Sequence, residues 1–504
     1  MAKFKVAAVF SNHMVLQRDK NIQIFGTGEN GAEVAVHFLE NSYTTYVKDE
    51  KWSILLPPQK AKTGLELIVS CKGDKIEFSN IAIGEVWLAG GQSNMELELK
   101  DCTNGKKMLQ EDVNPKVRFY YTPKNAYIDD KFYSSEEQSG WNEFSEENAK
   151  NWSAVGYIFG KRLAKELDVT IGIIGCNWGG TSASCWMSEK SLEEDKELNW
   201  YLEDFKEAIA GKSEEEQIKE YQEYEEYVTI WNKKCDEQYA LTPDINWEDL
   251  QELIGESRWP GPRNCRNPLR PAGLYHTMLS RVAPYTLRGF IYYQGEGDDH
   301  KPMLYQKLLT RLIRQWREDW EDNTLPFLFV QLPMHRYKAD PDFKNWCFLR
   351  EAQMNTFQTV KNTGVAVILD CGEFNEIHPK DKVPVGERLA LQALSQVYHT
   401  VSEKDAFGPI YCSFEYKAGG IELHFDHAQD GFVIGSQMNG FEIAGDDLNY
   451  VEAKVKIKDS VIFVSSPEVI KPRFVRYQWT NYGEVNIFGQ NGIPLAPFRT
   501  STKA

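Results

Sequence analysis

Apolar and polar positions change rhythm along the chain, and the changes divide it into regions. Over residues 1–80 the rhythm has a period of two. Ile22-Gln23-Ile24-Phe25 runs into Gly26-Thr27-Gly28, Val34-Ala35-Val36-His37-Phe38 follows, and Trp52-Ser53-Ile54-Leu55-Leu56 stops at Pro57-Pro58. Leu65, Leu67, Val69 and Cys71 then alternate with residues of the opposite face. This alternation marks strands with one buried side, and short strands between Gly, Pro and Asn turns predict a β-sandwich.

From 81 to 404 the pattern becomes strand, loop and helix. Apolar runs at 81–89, 169–176, 290–293, 326–332 and 365–369 read as buried strands. Tyr305, Leu309, Leu312, Trp316 and Trp320 recur at helical steps, as do Val385, Leu389 and Leu394 with Ala390 and Ala393. Strands alternating with helices predict an α/β region with a mostly parallel sheet covered on both faces. Active sites in such sheets lie beyond the C-terminal strand ends. Residues near 188–260 interrupt the pattern with a segment dense in Glu and Lys, where Leu198, Leu202, Phe205 and Ile209 have helical spacing. Tyr221, Tyr224, Val228 and Trp231 do too, and Ser213 with Glu216 spells a capping box. This segment reads as a helical insertion able to wall the site, its charge a solvated face. Over 405–504 alternation returns, at Ile421, Leu423 and Phe425 and at Ala453, Val455 and Ile457, which predicts a second β-sandwich.

Bulk properties narrow the function. The chain has 504 residues, enough for several domains, and 57 basic against 74 acidic residues give −17. That charge argues against nucleic acid or an anionic membrane as partner. No stretch is long enough to span a bilayer. The basic start leads into a short apolar run broken at Ser11-Asn12-His13, so no signal peptide is expected. Nine scattered cysteines without a Cys-x-x-Cys pair read mostly as buried reduced thiols, and a cytoplasmic protein is expected. The 14 Trp and 24 Tyr suit sugar-binding surfaces, but sandwich cores account for most of them.

Four glycine-bearing loops follow expected strands. In Gly90-Gly91-Gln92-Ser93-Asn94-Met95 the glycines permit a sharp turn that lifts Ser93 and aims its N–H at a developing oxyanion. In isolation Gly-x-Ser is a weak motif, equally readable as a plain turn. Asn177-Trp178-Gly179-Gly180-Thr181-Ser182 offers backbone donors, though alone it reads as a tight turn. In Tyr293-Gln294-Gly295-Glu296-Gly297-Asp298-Asp299, Gln294 can donate to an oxyanion and Glu296 can support the site. The acidic residues there also suit a helix cap or cation site, although no His or further ligand spacing supports a metal. In Asp370-Cys371-Gly372-Glu373-Phe374-Asn375-Glu376-Ile377-His378-Pro379, His378 can reach the same sheet edge as a base. Together the loops supply a nucleophile, oxyanion donors and a base, with Gln92 and Asn94 as further supporting or substrate-binding candidates.

Gly91-Gln92-Ser93-Asn94-Met95, Trp178-Gly179-Gly180-Thr181, Tyr293-Gln294-Gly295-Glu296 and Ile377-His378-Pro379 resemble the blocks of the sialate O-acetylesterase family. Residues 10–18, 271–278 and 349–353, with Val475-Arg476-Tyr477 and Pro497-Phe498-Arg499, extend the resemblance over nearly the whole chain. It implies an SGNH-type, flavodoxin-like three-layer core between the two β-sandwich regions. It implies a serine esterase acting on O-acetylated carbohydrates, acetylated sialic acids or hemicellulose oligosaccharides, without metal or cofactor. Ser93 attacks the acetyl ester, His378 takes its proton, and Ser93 N–H, Gly180 N–H (or that of Gly179) and the Gln294 side chain hold the oxyanion. Two departures stand out. Gly297-Asp298 replaces a Ser-Asn pair, with an expected effect on sugar contacts. Asn375 stands where an orienting Asp often precedes the His, leaving Glu376 as the nearest candidate, then Glu373 and Asp370, or a Ser-His dyad. Rival readings are a non-catalytic carbohydrate-binding protein on a decayed esterase core and an acyl hydrolase of other specificity. Intact Ser93 and His378 argue against the first, and the polar insertion against the second.

Overall fold

The computed structural model describes residues 4–501 apart from positions 244 and 436 and the side chain of residue 248. Its central sheet contains β1 (Asp74–Gly91), β2 (Val117–Tyr121), β3 (Trp141–Glu143), β4 (Ile171–Asn177), β5 (Gly289–Tyr293), β6 (Phe327–Gln331) and β7 (Thr363–Val367). Their spatial order is β3-β2-β4-β1-β5-β6-β7. Neighbours run parallel except at the antiparallel edge strand β3. Five of these strands match the apolar runs of the sequence. β2 and β3 do not, because Arg118 is the second residue of one and Asn142-Glu143 end the other. The cost of burying Arg118 is offset by its donors reaching His13 O at 3.0 Å, Asn80 O at 2.5 Å and the Glu143 carboxylate at 2.8 Å.

The helices that matter for the site are α1 (Ser93–Glu96), α2 (Ala154–Leu167), α3 (Trp200–Ala208), α4 (Glu214–Leu241), α5 (Trp247–Ile254), α6 (Tyr305–Asp319), α7 (Asn345–Thr359) and α8 (Val383–Gln396). The first of these carries Ser93, α2 and α8 pack on one another, and α6 packs on α7. The apolar stripe of α6 is buried at Tyr305, Leu308, Leu309, Leu312, Ile313 and Trp316, each of its leucines contributing roughly 2 kcal/mol. The insertion is helical, as its spacing predicts. It holds α3, α4 and α5, with the Ser213–Glu216 capping box starting α4 and a small core of Trp231, Cys235 and Leu250.

The expected boundary near residue 80 falls inside a single strand. The first part of β1 pairs antiparallel with the strand Lys62–Cys71, and its last part is the centre of the parallel sheet. One continuous apolar core runs from Val9 through Leu67, Trp87 and Ile173 to Leu394. The N-terminal sheets and the α/β region therefore form one body. The C-terminal strands, antiparallel as expected, hold their own core around Ile421, Leu423, Phe441 and Tyr477. They join the rest through the Arg499–Glu351 pair at 2.6 Å and the Asn481 N–H on Asp342 at 2.8 Å. All nine cysteines are free thiols. Among the described residues no helix is long and apolar enough to cross a membrane.

Candidate active site

Strand register sets the site. Gly91, the last residue of β1, stands opposite Asn177 on β4 and Tyr293 on β5. The loops carrying Ser93, Gly179-Gly180 and Gln294 to Asp298 therefore leave the sheet side by side at one level. Gly91 has φ +133°, and a methyl group there would lie 2.1 Å from Tyr293 O. Only glycine permits that close turn, and it releases the chain directly into α1.

Ser93 Oγ lies 2.8 Å from His378 Nε2. The long loop after β7 carries His378 across two strands to this point. Asn94, almost fully buried, holds the loop by donating to Ile377 O at 2.9 Å and to Glu296 Oε1 at 2.7 Å, while its Oδ1 accepts from Lys382 Nζ at 2.6 Å. Glu296 thus braces the helix that carries Ser93, and burial raises its carboxyl above the ordinary value. Lys382 packs over the Tyr293 ring, and burial pushes its ammonium down to about 8. Its structural part was not read from the sequence, although it lies four residues after His378. Gln92 turns inward and accepts from Gly297 N–H at 3.0 Å, tying the β1 and β5 loops together.

Two backbone donors stay open. Among the described residues neither the Ser93 N–H nor the Gly180 N–H has an acceptor, whereas Gly179 N–H donates to Glu96 Oε2 at 2.5 Å. Glu96, also unforeseen, is ion-paired with Lys124 and fixes the Gly179 loop against α1. A methyl at Gly179 would stand 3.3 Å from Ser93 Cβ, so these two loops are in contact.

Gln294 does not face the cleft. Both hydrogens of its amide point inward, to Thr181 O at 3.1 Å and Asp298 Oδ2 at 2.7 Å, and its Oε1 accepts from Tyr305 at 2.8 Å. A fully satisfied, buried amide has no donor left for an oxyanion, which corrects the expectation that Gln294 joins the hole. Its partner Asp298 is fully buried, and also accepts from the Ser182 hydroxyl at 2.6 Å, Ala183 N–H at 2.9 Å and the Tyr201 hydroxyl at 3.0 Å. This departure from the family pattern is an internal brace and offers no direct sugar contact.

Glu376 is also placed differently from expectation. Its Oε1 accepts from the His378 backbone N–H at 2.7 Å and stays 3.9 Å from Nδ1, too far for a hydrogen bond to the imidazole. Its charge still favours the imidazolium, while desolvation by the cleft, the larger influence, holds His378 below 6.5. The ring is 46% exposed, so this desolvation comes from the walls on one side. Asp370 is committed to Arg388 at 2.5 Å. Asn375 adopts φ +61°, a left-handed position that Asn tolerates, and its side chain caps Lys338 N–H at 3.0 Å.

Residues 261–395 match the family model described as carbohydrate esterase, sialic acid-specific acetylesterase. The sialate O-acetylesterase of Mus musculus is 26% identical over 478 residues, 88% of this chain and 82% of its own length. The human sialate O-acetylesterase is 26% identical over 78% of this chain and 71% of its own length. A solved carbohydrate acetylesterase from Xanthomonas citri covers 99% of both chains at 27% identity, with a TM-score of 0.77. Over nearly its whole length the chain is similar to sialate O-acetylesterases and to a carbohydrate acetylesterase, and it is a carboxylic ester hydrolase.

Proposed function

We propose that the protein removes O-acetyl groups from carbohydrates by serine catalysis, with Ser93 as nucleophile and His378 as general base, on an SGNH-type three-layer core. The observation that carries this reading is the 2.8 Å Ser93 Oγ–His378 Nε2 contact beside two unpaired N–H donors. Ser93 Oγ attacks the acetyl carbonyl as its proton passes to His378 Nε2. The resulting oxyanion accepts from Ser93 N–H and Gly180 N–H, donors already oriented in the ground state. His378 then gives the proton to the departing sugar oxygen, and a water deprotonated by the same ring releases acetate from Ser93.

A lowered His378 pKa supports this cycle, because the ring must be neutral to begin it. Glu376 acts through its charge on the transient imidazolium and through its grip on the His378 backbone, and Glu296 and Gln92 act as braces. The relatives' names support acetylated carbohydrates as substrates, sialate esters in the mammalian proteins and an unspecified carbohydrate in the bacterial one. Free thiols, six of them buried, fit a reducing compartment, in line with a cytoplasmic location. The test is acetate release from p-nitrophenyl acetate and from acetylated sugars. Ser93→Ala should lose at least about a thousandfold in kcat while keeping its circular dichroism spectrum. A wild type that releases acetate from no ester would return the chain to a sugar-binding role.

A further inference from the structure

The cleft wall beyond Gly180 is built by a residue that the reaction itself does not use. Trp259 is 63% exposed, unusual for so large an apolar ring, and yet it is held firmly. A methyl added at Gly180 would stand 2.6 Å from its Cζ2, so the edge of the indole rests directly on the glycine whose N–H faces the reacting carbonyl. Gly180 has φ +74° and no side chain to push the ring away. Gly179, one residue earlier, touches Ser93, so a single turn of loop separates Trp259 from Ser93.

The segment that carries Trp259 is ordered before any ligand arrives. Trp259 N–H donates to Ser257 Oγ at 3.1 Å. The buried Asn267 amide clamps the two following prolines, donating to Pro260 O at 3.1 Å and Pro262 O at 2.9 Å. Gly261 lies against the Tyr224 ring of α4, and the Arg258 guanidinium covers the Tyr227 ring at 4.4 Å. The indole Nε1–H has no acceptor among the described residues. An exposed, pre-ordered indole face beside the proposed oxyanion donor suits the apolar face of a pyranose ring.

Building on the esterase reading, we infer that the exposed indole of Trp259 is a stacking platform for the pyranose next to the acetylated one, so that the preferred substrate is an acetylated oligosaccharide over the acetylated monosaccharide. A pre-ordered aromatic face binds a second ring with little loss of side-chain entropy.

The experiment compares kcat/KM on p-nitrophenyl acetate, acetylated xylose, acetylated xylotriose and O-acetylated sialic acid for the wild type, Trp259→Ala and Trp259→Phe. The expected wild-type order places the trisaccharide above the monosaccharides. In Trp259→Ala the ratio of trisaccharide to p-nitrophenyl acetate activity should fall about tenfold, and Trp259→Phe should keep it within about threefold. An unchanged ratio in Trp259→Ala, or a wild type that prefers an acetylated monosaccharide, overturns the platform while leaving the esterase reading intact. A wild type that cleaves p-nitrophenyl acetate but no acetylated sugar overturns both.

Discussion

Ser93 and His378 come from strands three places apart in the sheet, and Asn94 is the residue that closes the gap between them. Its amide joins the helix of Ser93 to the backbone just before His378. The charges around His378 then give a pH signature. Desolvation and Lys382 lower its pKa, joined by His335, while Glu376 and, more weakly, Glu96 raise it. As the proposed base, His378 must be neutral, so kcat/KM should rise with pH through a midpoint below 6.5, the ordinary value. Glu376→Gln removes a charge that favours the imidazolium and should move that midpoint lower. Lys382→Met removes one that opposes it and should move the midpoint higher. Profiles of both variants that superimpose on the wild type would show that neither charge reaches the ring. At this scale the pairing of Ser93 with His378 was legible because four glycine-bearing loops follow strand ends together and resemble the blocks of one family. Glu376 and Gln294 were misread because sequence distance does not tell which atom a side chain reaches. Glu376 spends its oxygen on a backbone N–H, and Gln294 spends both of its amide hydrogens inside the fold.

Two braces at the level of elements fix the loops that Ser93 sits between. Gly91 at φ +133° allows β1 to press on Tyr293 O, and Gly91→Ala combines backbone strain with that clash. A cost of about 3 kcal/mol or more follows, read as a lower thermal midpoint together with lost activity. Asp298 accepts four hydrogen bonds from the β4 loop, the insertion and Gln294. Asp298→Asn replaces an acceptor oxygen with a donor that faces donors. It should destabilise the protein by about 2–4 kcal/mol and lower kcat equally for every ester, since Gly180 loses its support. An Asp298→Asn variant with unchanged kcat would separate the brace from the oxyanion loop. Apolar runs revealed five of the seven central strands, because parallel strands covered on both faces are apolar throughout. The other two hide behind Arg118 and Glu143, whose charges satisfy one another across the sheet edge and look like loop in a linear reading.

For the molecule as a whole, the shared strand matters most. The 18 residues of β1 serve the N-terminal sheets and the catalytic sheet in turn, and the core is continuous across the two. A fragment beginning at residue 81 would expose the paired edge of β1 and the faces that cover Val15 and Leu67, and it should be recovered only as aggregate. A soluble, active 81–504 fragment would show that the two regions fold apart. Alternating strands made both flanking regions visible in the sequence, but pattern alone could not show that a strand runs through the expected boundary. The common level of Gly91, Asn177 and Tyr293 has a consequence for how this chain tolerates changes in length. One residue inserted in β1, β4 or β5 displaces its loop by about 3.3 Å and turns every following side chain to the wrong face, which ends catalysis. Residues added after the β4 loop shift no register at all. The long helical segment lies there, so residues added at that point can lengthen and reshape the cleft wall while the sheet edge that carries Ser93 stays fixed.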